Sequence, residues 1–282
     1  MRWIILGAGG MLGRDLVELL GASVDELVPL THRDLDITSE ASVRKVISNC
    51  DVVVNAAAYT DVDRAEEDEA NAFAVNAVGP EILARRCSEI HARLVHVSTD
   101  YVFDGQSESP YCETALICPE SAYGRTKAAG EWAVQANATD YLIVRTAWLY
   151  GRSGNCFPKT MVELAQKREF IDVVVDEIGQ PTWSADLADL IIRLVRAHAP
   201  TGIYHGTASG ATSWNGFGKQ IMKSIGKNES MICDTTAAAF SRAAPRPHYS
   251  VLGHGALKEA GVAPIDAWDA RWRIASRQVL GW

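Results

Sequence analysis

Three side chains in the middle of the chain could deliver a proton to an oxygen on which negative charge is developing. Thr99 ends the apolar run Leu94–Ser98, and 24 residues later Tyr123-Gly124-Arg125-Thr126-Lys127 carries a phenol and an ammonium four positions apart. On a helix that spacing puts both groups on one face, one turn apart. A phenol with an unperturbed pKa near 10 is a reluctant acid, and a neighbouring Lys127 cation would lower it. Thr99 could orient the acceptor by a hydrogen bond. A Tyr-x-x-x-Lys pair alone is cheap: eight tyrosines give a chance expectation of roughly 0.2. The bland alternative is an exposed Tyr/Lys pair on a helix beside an N-capping threonine.

What raises the triple above that alternative is a glycine pattern far upstream. Gly7-Ala8-Gly9-Gly10-Met11-Leu12-Gly13 follows the first apolar run, Trp3–Leu6, and opens a segment of helical period. Glycines there allow a tight turn and close backbone approach to a pyrophosphate, whose charge is met by the N–H groups and dipole of the helix start. Gly7, Gly10, Met11, Leu12 and Gly13 are therefore expected cofactor contacts, the alternative being a structural turn that holds nothing. About 20 residues on, where such folds read the adenosine ribose, stand His32-Arg33-Asp34-Leu35-Asp36-Ile37. Arg33 suits a 2′-phosphate and Asp36 a free 2′-hydroxyl, with Ile37 beside them; both charges are present, and the reading leans to NADPH over NADH. Ala56, Ala57 and Ala58 leave the run ending at Asn55 with small side chains against which a flat cofactor could lie, unless they serve only helix packing. Hydride from a nicotinamide would then build charge on a substrate carbonyl oxygen, Tyr123 would protonate it, and Lys127 would also hold the nicotinamide ribose.

Elements able to position these groups are visible as alternating patterns. Strands are expected at Trp3–Leu6, Leu27–Thr31, Asp51–Asn55, Leu94–Ser98, Leu142–Thr146 and Val173–Asp176. Helices are expected at Leu12–Leu20, Glu40–Asn49, Asn71–Glu89, Ser121–Ala136 and Ala185–Ala197. Runs apolar on both faces, such as Val52-Val53-Val54, belong inside a parallel sheet covered on both sides, so the fold class is α/β, a doubly wound Rossmann-type sheet. After about residue 200 the rhythm breaks, with one more strand at Gly202–His205, a helix near Trp214–Ile225 and a Trp-rich tail. Residues 1–150 are expected to form the dinucleotide-binding unit, with 170–204 returning to it. Residues 151–169 and 205–282 would form a smaller substrate lobe.

Composition sets outer bounds. With 282 residues, 48% hydrophobic and 22% charged, the chain is an ordinary globular one, and a net charge of −8 argues against non-specific nucleic-acid or anionic-membrane binding. No apolar run approaches the length of a membrane span or a signal core. Six scattered cysteines without a C-x-x-C pair fit reduced cytoplasmic thiols better than disulfides or zinc. The charge is uneven: residues 1–200 carry 18 Lys and Arg against 30 Asp and Glu, or −12, while 201–282 carry 9 against 5, or +4. Asp61, Asp63, Glu66, Glu67, Asp68 and Glu69 form an acid cluster, read first as a solvated helix start favoured by the macrodipole; no metal site is assigned, and a metal or partner role stays open.

The glycine turn with Tyr123-x-x-x-Lys127 resembles the extended short-chain dehydrogenases/reductases. Longer blocks are similar to the dTDP-4-dehydrorhamnose reductase family within them, above all Ser98-Thr99-Asp100-Tyr101-Val102-Phe103-Asp104-Gly105, with Asn55–Asp63, Val75-Asn76, Arg145–Gly151, Gly179–Thr182 and Arg246-Pro247. The resemblance spans nearly the whole chain. It implies that Tyr123 is the general acid, Lys127 its partner and ribose ligand, and Thr99 the hydroxyl of the triad. It further implies that Asp100, Tyr101 and Trp148 border a dTDP-4-keto-6-deoxy sugar, with Val62, Asn155 and the Arg242–Ser250 segment around the nucleotide. Arg246 would meet the diphosphate. The implied reaction reduces the C4 ketone to give dTDP-L-rhamnose, in a possible homodimer. A 4-ketosugar reductase of opposite C4 stereochemistry, or a non-catalytic nucleotide-binding regulatory subunit of the same fold, stays open beside it. The chain departs from the family at Asp176-Glu177, where Asp-Gln is expected before Gly179-Gln180-Pro181-Thr182.

Overall fold

Valine, isoleucine and leucine in short runs, each bounded by glycine, asparagine or aspartate, form the strands that carry everything else. A computed structural model describes residues 1–23 and 25–281. In chain order, the first half comprises β1 (Arg2–Leu6), α1 (Met11–Gly21), β2 (Glu26–Leu30), α2 (Glu40–Val46), β3 (Val52–Asn55), α3 (Arg64–Glu67), α4 (Glu69–Phe73), α5 (Gly79–Glu89), β4 (Arg93–Thr99), α6 (Ala122–Asn137) and β5 (Tyr141–Thr146). There follow β6 (Leu149–Tyr150), α7 (Phe157–Lys167), β7 (Ile171–Val174), β8 (Ile178–Gly179), β9 (Thr182–Trp183), α8 (Ser184–Arg196), β10 (Gly202–His205), β11 (Ala208–Ser209), β12 (Thr212–Ser213), α9 (Trp214–Ser224), β13 (Ile232–Thr235), α10 (Gly255–Glu259), β14 (Ile265–Ala267) and α11 (Trp268–Leu280).

Six parallel strands make the central sheet in the order β10-β5-β4-β3-β1-β2. The expected α/β doubly wound class is what the chain adopts. Alternate residues of each strand feed different cores. Trp3, Ile5, Val52, Val54, Val95 and Leu142 pack with α1 and α8 on one face, while Ile4, Leu6, Val53, Leu94 and Ile143 pack with α2, α5 and α6 on the other. Pro29 is tolerated in β2 because that strand lies at the sheet edge, where a missing N–H costs no ladder bond. Strand order reverses between β1 and β3, and the crevice beyond their carboxyl ends is where open α/β sheets bind ligands.

Beyond β5 the chain divides its elements. Helix α8 packs against α1, and β10 extends the main sheet. Strand β7, from the Val173–Asp176 run, lies outside that sheet and pairs in parallel with β13, while β8 pairs with β12. Tyr150, Met161, Trp183, Phe217, Ile221 and Trp272 build a separate core among α7, α9 and α11. Helix α7 carries no cap signal that the periodicity reading used, and α11 turns the Trp-rich tail into an amphipathic helix ending at Gly281 in the left-handed region. All six cysteines are free thiols. No helix among the described residues is long and apolar enough to cross a membrane.

The single helix expected over Asn71–Glu89 is interrupted. A wide turn of i→i+5 type at Ala74–Val78 separates α4 from α5. Pro80 is the cause: it has no N–H for the carbonyl of Asn76 four residues before it, and its ring crowds that oxygen. The displaced Asn76 carbonyl is received by α6 at Gly130, where an added Cβ would lie 2.1 Å from it. The Asn76 side chain locks the arrangement by accepting from Tyr59 N (2.8 Å) and donating to Tyr59 O (3.0 Å) and to Thr126 Oγ1 (3.1 Å). Gly130→Ala therefore forces α6 off the Asn76 turn. Its unfolding free energy should fall by about 1–3 kcal/mol, read by urea denaturation; an unchanged midpoint would show that α6 accommodates the methyl group.

Candidate functional site

A cavity of about 1000 Å³ opens at the carboxyl ends of β1, β3, β4 and β5. Its first wall is the glycine turn. Gly7 adopts φ +75°, and a Cβ there would stand 2.8 Å from the backbone of Ala56 and Ala57, so this glycine lets the β1 turn close on the exit of β3. A Cβ on Gly13 would lie 2.1 Å from the Gly7 carbonyl oxygen, which makes Gly13 a packing glycine under the turn; it does not line the cavity, whereas Gly7, Gly10, Met11 and Leu12 do. Helix α1 starts at Met11 with no side-chain cap on Gly10 and no acid in its first turn. Free N–H groups and an unneutralised positive dipole end thus face a space cleared of side chains, which fits a dinucleotide pyrophosphate.

The adenosine-ribose window is sorted by the fold. Asp34 is consumed by the turn after β2, accepting from Thr31 N and Oγ1 at 2.8 and 2.7 Å. Asp36 accepts from Thr38 N and Oγ1 through a single oxygen. Arg33, Asp36 and Ile37 all line the cavity, and Arg33 is exposed there with no carboxylate partner among the described residues. Ala56, Ala57 and Ala58 form the floor, shaped by Asn55, whose side chain accepts from Ala57 N and meets His96 Nδ1 at 3.2 Å.

Thr99, Tyr123 and Lys127 meet in the same cavity. Ser121 caps α6 by accepting from Gly124 N at 3.1 Å, starting the helix at Ala122, one residue before Tyr123. Burial pushes the Tyr123 phenol up to about 12, against a smaller downward pull from the Thr99 hydroxyl. The Lys127 ammonium, expected to lower that value, donates to the β4 carbonyl of Val97 at 2.6 Å. Burial brings Lys127 itself down to about 8, against an upward pull from Glu131. Thr99 Oγ1 donates to Asp100 Oδ1 at 2.9 Å, and the Tyr101 ring meets Tyr123 edge-on with centroids 5.6 Å apart.

Beneath these groups lies a buried polar network. Glu131, one turn after Lys127, accepts from Arg145 Nε and Nη2 at 2.9 and 2.7 Å and from Ser98 Oγ at 2.5 Å. Glu131 and Arg145 are 0% and 2% exposed. Arg145 reaches on to His205 of β10 and stands over the Phe103 ring.

Val62, Asp100, Tyr101, Trp148 and Asn155 also line the cavity. Arg246 does not: its guanidinium is held by Asp63 (2.6 Å) and by the Ala244 carbonyl. The departure at Asp176-Glu177 has a partner of its own, since buried Glu177 binds Arg242 at 2.6 Å and Asp176 accepts from Ala237 N. Asp61, Glu67 and Glu69 of the acid cluster are exposed, the two glutamates in the first turns of short helices, while Glu66 accepts from Ala122 N, Glu69 pairs with Arg125, and Asp68 accepts from Tyr59 and Asn71. No group of three potential metal ligands occurs among the described residues. The periodicity reading missed Thr31, Thr60, Ser98, Thr146 and Gly154, all in the cavity wall. Thr31, Ser98 and Thr146 each end or immediately adjoin the end of an expected strand, so position at a strand's carboxyl end was the available signal for them; Thr60 and Gly154 lie in loops that no strand end marks.

A doubly wound sheet with this glycine turn and a Thr/Tyr/Lys site in one crevice defines the class of nucleotide-dependent short-chain reductases. The chain belongs to the RmlD substrate binding domain family, whose model matches residues 1–278. It is 47% identical to a dTDP-4-keto-6-deoxy-D-glucose reductase of Streptomyces niveus, over 95% of this chain and 93% of that one. It is 44% identical to a dTDP-4-dehydrorhamnose reductase of Streptomyces griseus, over 95% and 91%. Among solved structures, the dTDP-4-dehydrorhamnose reductase of Bacillus anthracis in complex with NADP superimposes with a TM-score of 0.94 at 37% identity, covering 98% of each chain.

The Asp100 carboxyl is held up at about 6, by burial first, with the Ser250 and Thr99 hydroxyls pulling down. A carboxyl raised in the folded state stabilises the fold below its unfolded pKa and loses that stabilisation as pH rises through the folded value. Asp100→Asn should thus gain on the wild type by on the order of 2–3 kcal/mol between pH 4 and pH 7. Denaturation of both proteins across that window measures it; a constant difference would show that the carboxyl titrates normally.

Proposed function

We propose that this chain is an NADPH-dependent reductase of a dTDP-4-keto-6-deoxy sugar, reducing the C4 ketone of dTDP-6-deoxy-L-lyxo-4-hexulose to dTDP-L-rhamnose. The observation that carries it is the convergence, in one cavity, of an uncapped glycine-turn helix with Thr99, Tyr123 and Lys127, in a chain of a family whose relatives are named as dTDP-sugar reductases. Free thiols and the lack of a membrane-crossing helix among the described residues suit a cytoplasmic biosynthetic enzyme.

When bound, the nicotinamide supplies the hydride to C4. Tyr123 supplies the proton to the C4 oxygen. At about 12 its phenol is fully protonated at neutral pH, and it remains more acidic than the alcohol formed when it protonates the alkoxide, so transfer runs downhill as charge develops. Thr99 steadies the carbonyl oxygen by turning to it the single hydroxyl proton that it otherwise donates to Asp100. Lys127, fixed by Val97, offers its remaining N–H donors to a ribose and changes charge near the working pH. Met11 and Leu12, at the uncapped start of α1, would offer backbone N–H groups to the pyrophosphate, and Arg33, on the cavity wall, would meet the 2′-phosphate.

Tyr123→Phe removes the proton and little else. Its kcat should fall by about 10²–10⁴, with NADPH binding unchanged, followed at 340 nm with the 4-keto sugar; full turnover would end the acid role. Arg33→Ala should raise the KM for NADPH by about 10–100-fold while leaving that for NADH nearly constant. An equal effect on both cofactors would remove Arg33 from the 2′-phosphate.

A second reading is favoured by the Streptomyces niveus relative, named for dTDP-4-keto-6-deoxy-D-glucose: reduction of a different dTDP-4-keto sugar by the same residues. Incubation with each synthetic 4-keto sugar and assignment of the C4 configuration by NMR separates the two.

A further inference from the structure

We propose that Trp214 is a positioning residue of the sugar subsite, stacking on Trp148 and fixing the indole that borders the 4-keto sugar. This rests on the reading that Trp148 touches the sugar, and it adds a residue that lies outside the cavity wall.

Trp148 sits in the short link between β5 and β6, beside Thr146 and Ala147 on the cavity wall. Its φ is +47°, in the left-handed region that a bulky aromatic residue rarely occupies. Such a backbone persists only where its surroundings over-determine it. Two contacts do so here. The Trp148 and Trp214 rings lie parallel, 7° apart in plane, with centroids separated by 3.6 Å. On Gly179 an added Cβ would stand 2.5 Å from Trp148 Cε2, so the indole occupies the space that any other residue at 179 would fill.

One small pairing places both supports. Strand β12 runs antiparallel to β8, setting Thr212 opposite Gly179 and Ser213 opposite Ile178. Ser213 then caps α9 by accepting from Gly216 N at 3.0 Å, and Trp214 is the first residue of that helix. Phe157, at the start of α7, packs on Trp214 with centroids 4.6 Å apart. Segments distant in sequence thus converge on one indole that is only half-buried and lines the cavity. An indole needed only for core packing would not require a left-handed backbone or a facing glycine. The stack also takes up one face of Trp148, so the sugar meets the remaining face and rim, held in a fixed plane. A fixed wall can discriminate between sugar shapes, whereas an indole free to rotate cannot.

The test uses the full chain with Trp214→Leu, Trp214→Phe and Trp148→Leu. Steady-state KM and kcat for the dTDP-4-keto sugar, NADPH binding by fluorescence, and the circular-dichroism couplet of the stacked indoles are measured for each. Trp214→Leu should lose the couplet and raise the sugar KM by about tenfold, with NADPH affinity and kcat within about twofold of wild type. Trp214→Phe, which keeps an aromatic face under Trp148, should restore most of the KM. An unchanged KM in Trp214→Leu beside a raised one in Trp148→Leu would overturn the positioning role and leave Trp148 at the sugar. Unchanged values in both would overturn the reading of Trp148 as well. A parallel loss of NADPH affinity would reduce Trp214 to core packing and also overturn the proposal. Should Trp214→Leu not fold, Trp214→His, whose ring covers less of the indole, takes its place with the same expected rise in KM, and an unchanged KM again refutes.

Discussion

The ion pair between Glu131 and Arg145 is the constraint on which the site depends. Both ends are buried, and taking two charges out of water costs several kcal/mol each unless geometry and further hydrogen bonds compensate. Here they do: the guanidinium is bidentate on the carboxylate, Ser98 fills a further acceptor site, and Phe103 covers the cation. The four side chains come from β4, α6, β5 and the turn after β4, so the pair has one register in which it is satisfied. Any slide of α6 along the sheet would leave an uncompensated buried charge. Lys127 and Tyr123 stand one and two turns before Glu131 on that helix, and Thr99 follows Ser98 on that strand. A network buried beneath the cavity thereby fixes the mutual geometry of the three groups proposed to do chemistry.

The sequence made the parts of this arrangement legible to different degrees. Strand positions and the sheet class followed from apolar runs such as Val52–Val54, because a residue buried on both faces leaves a pattern with no competing explanation. Thr99, Tyr123 and Lys127, which line one cavity, were legible because the proposed proton transfer needs those types in that order. The break in the helix at Asn76 was not, although Pro80 stood in plain view. A proline four residues after a carbonyl warns of a kink, but whether the chain kinks, ends or widens depends on a receiver, and Gly130 lies 54 residues further on. Short pairings such as β8 with β12 were illegible for the same reason: two-residue strands have no period, and only the fold brings Gly179 to Thr212. The Tyr123 phenol shows a subtler limit. Spacing placed a lysine one turn away, but the direction of its ammonium was decided by the Val97 carbonyl.

Phosphate recognition and charge are likewise arranged through geometry more than through net charge. The −12 stretch holds the dinucleotide cradle, where backbone N–H groups and a helix dipole can meet an anion without a cationic side chain beside the pyrophosphate. Arg33 is the exception at the rim, and its freedom from any carboxylate partner among the described residues follows from Asp34 and Asp36 being spent on Thr31 and Thr38.

The +4 segment changes meaning once its partners are known. Arg242 binds Glu177, Arg246 binds Asp63 and Arg271 binds Asp186 in a bidentate pair, so three cations from residues 201–282 each meet an acid from residues 1–200. Two of these acids, Glu177 and Asp186, are largely buried, where an ion pair is screened little by solvent salt and removal of one partner is costly. The opposite signs of the two stretches are therefore complementarity between parts of one chain. Local basicity alone does not mark a diphosphate site here: a phosphate reaching Arg246 competes with Asp63, and a phosphate reaching Arg242 competes with Glu177. Residues 237–248 are held to Asp63 on one side and to Asp176 and Glu177 on the other, and the His248 carbonyl accepts from Ile178 N of β8. Since β8 also carries Gly179, the glycine that admits Trp148, the basic segment braces the strand that lies against that indole.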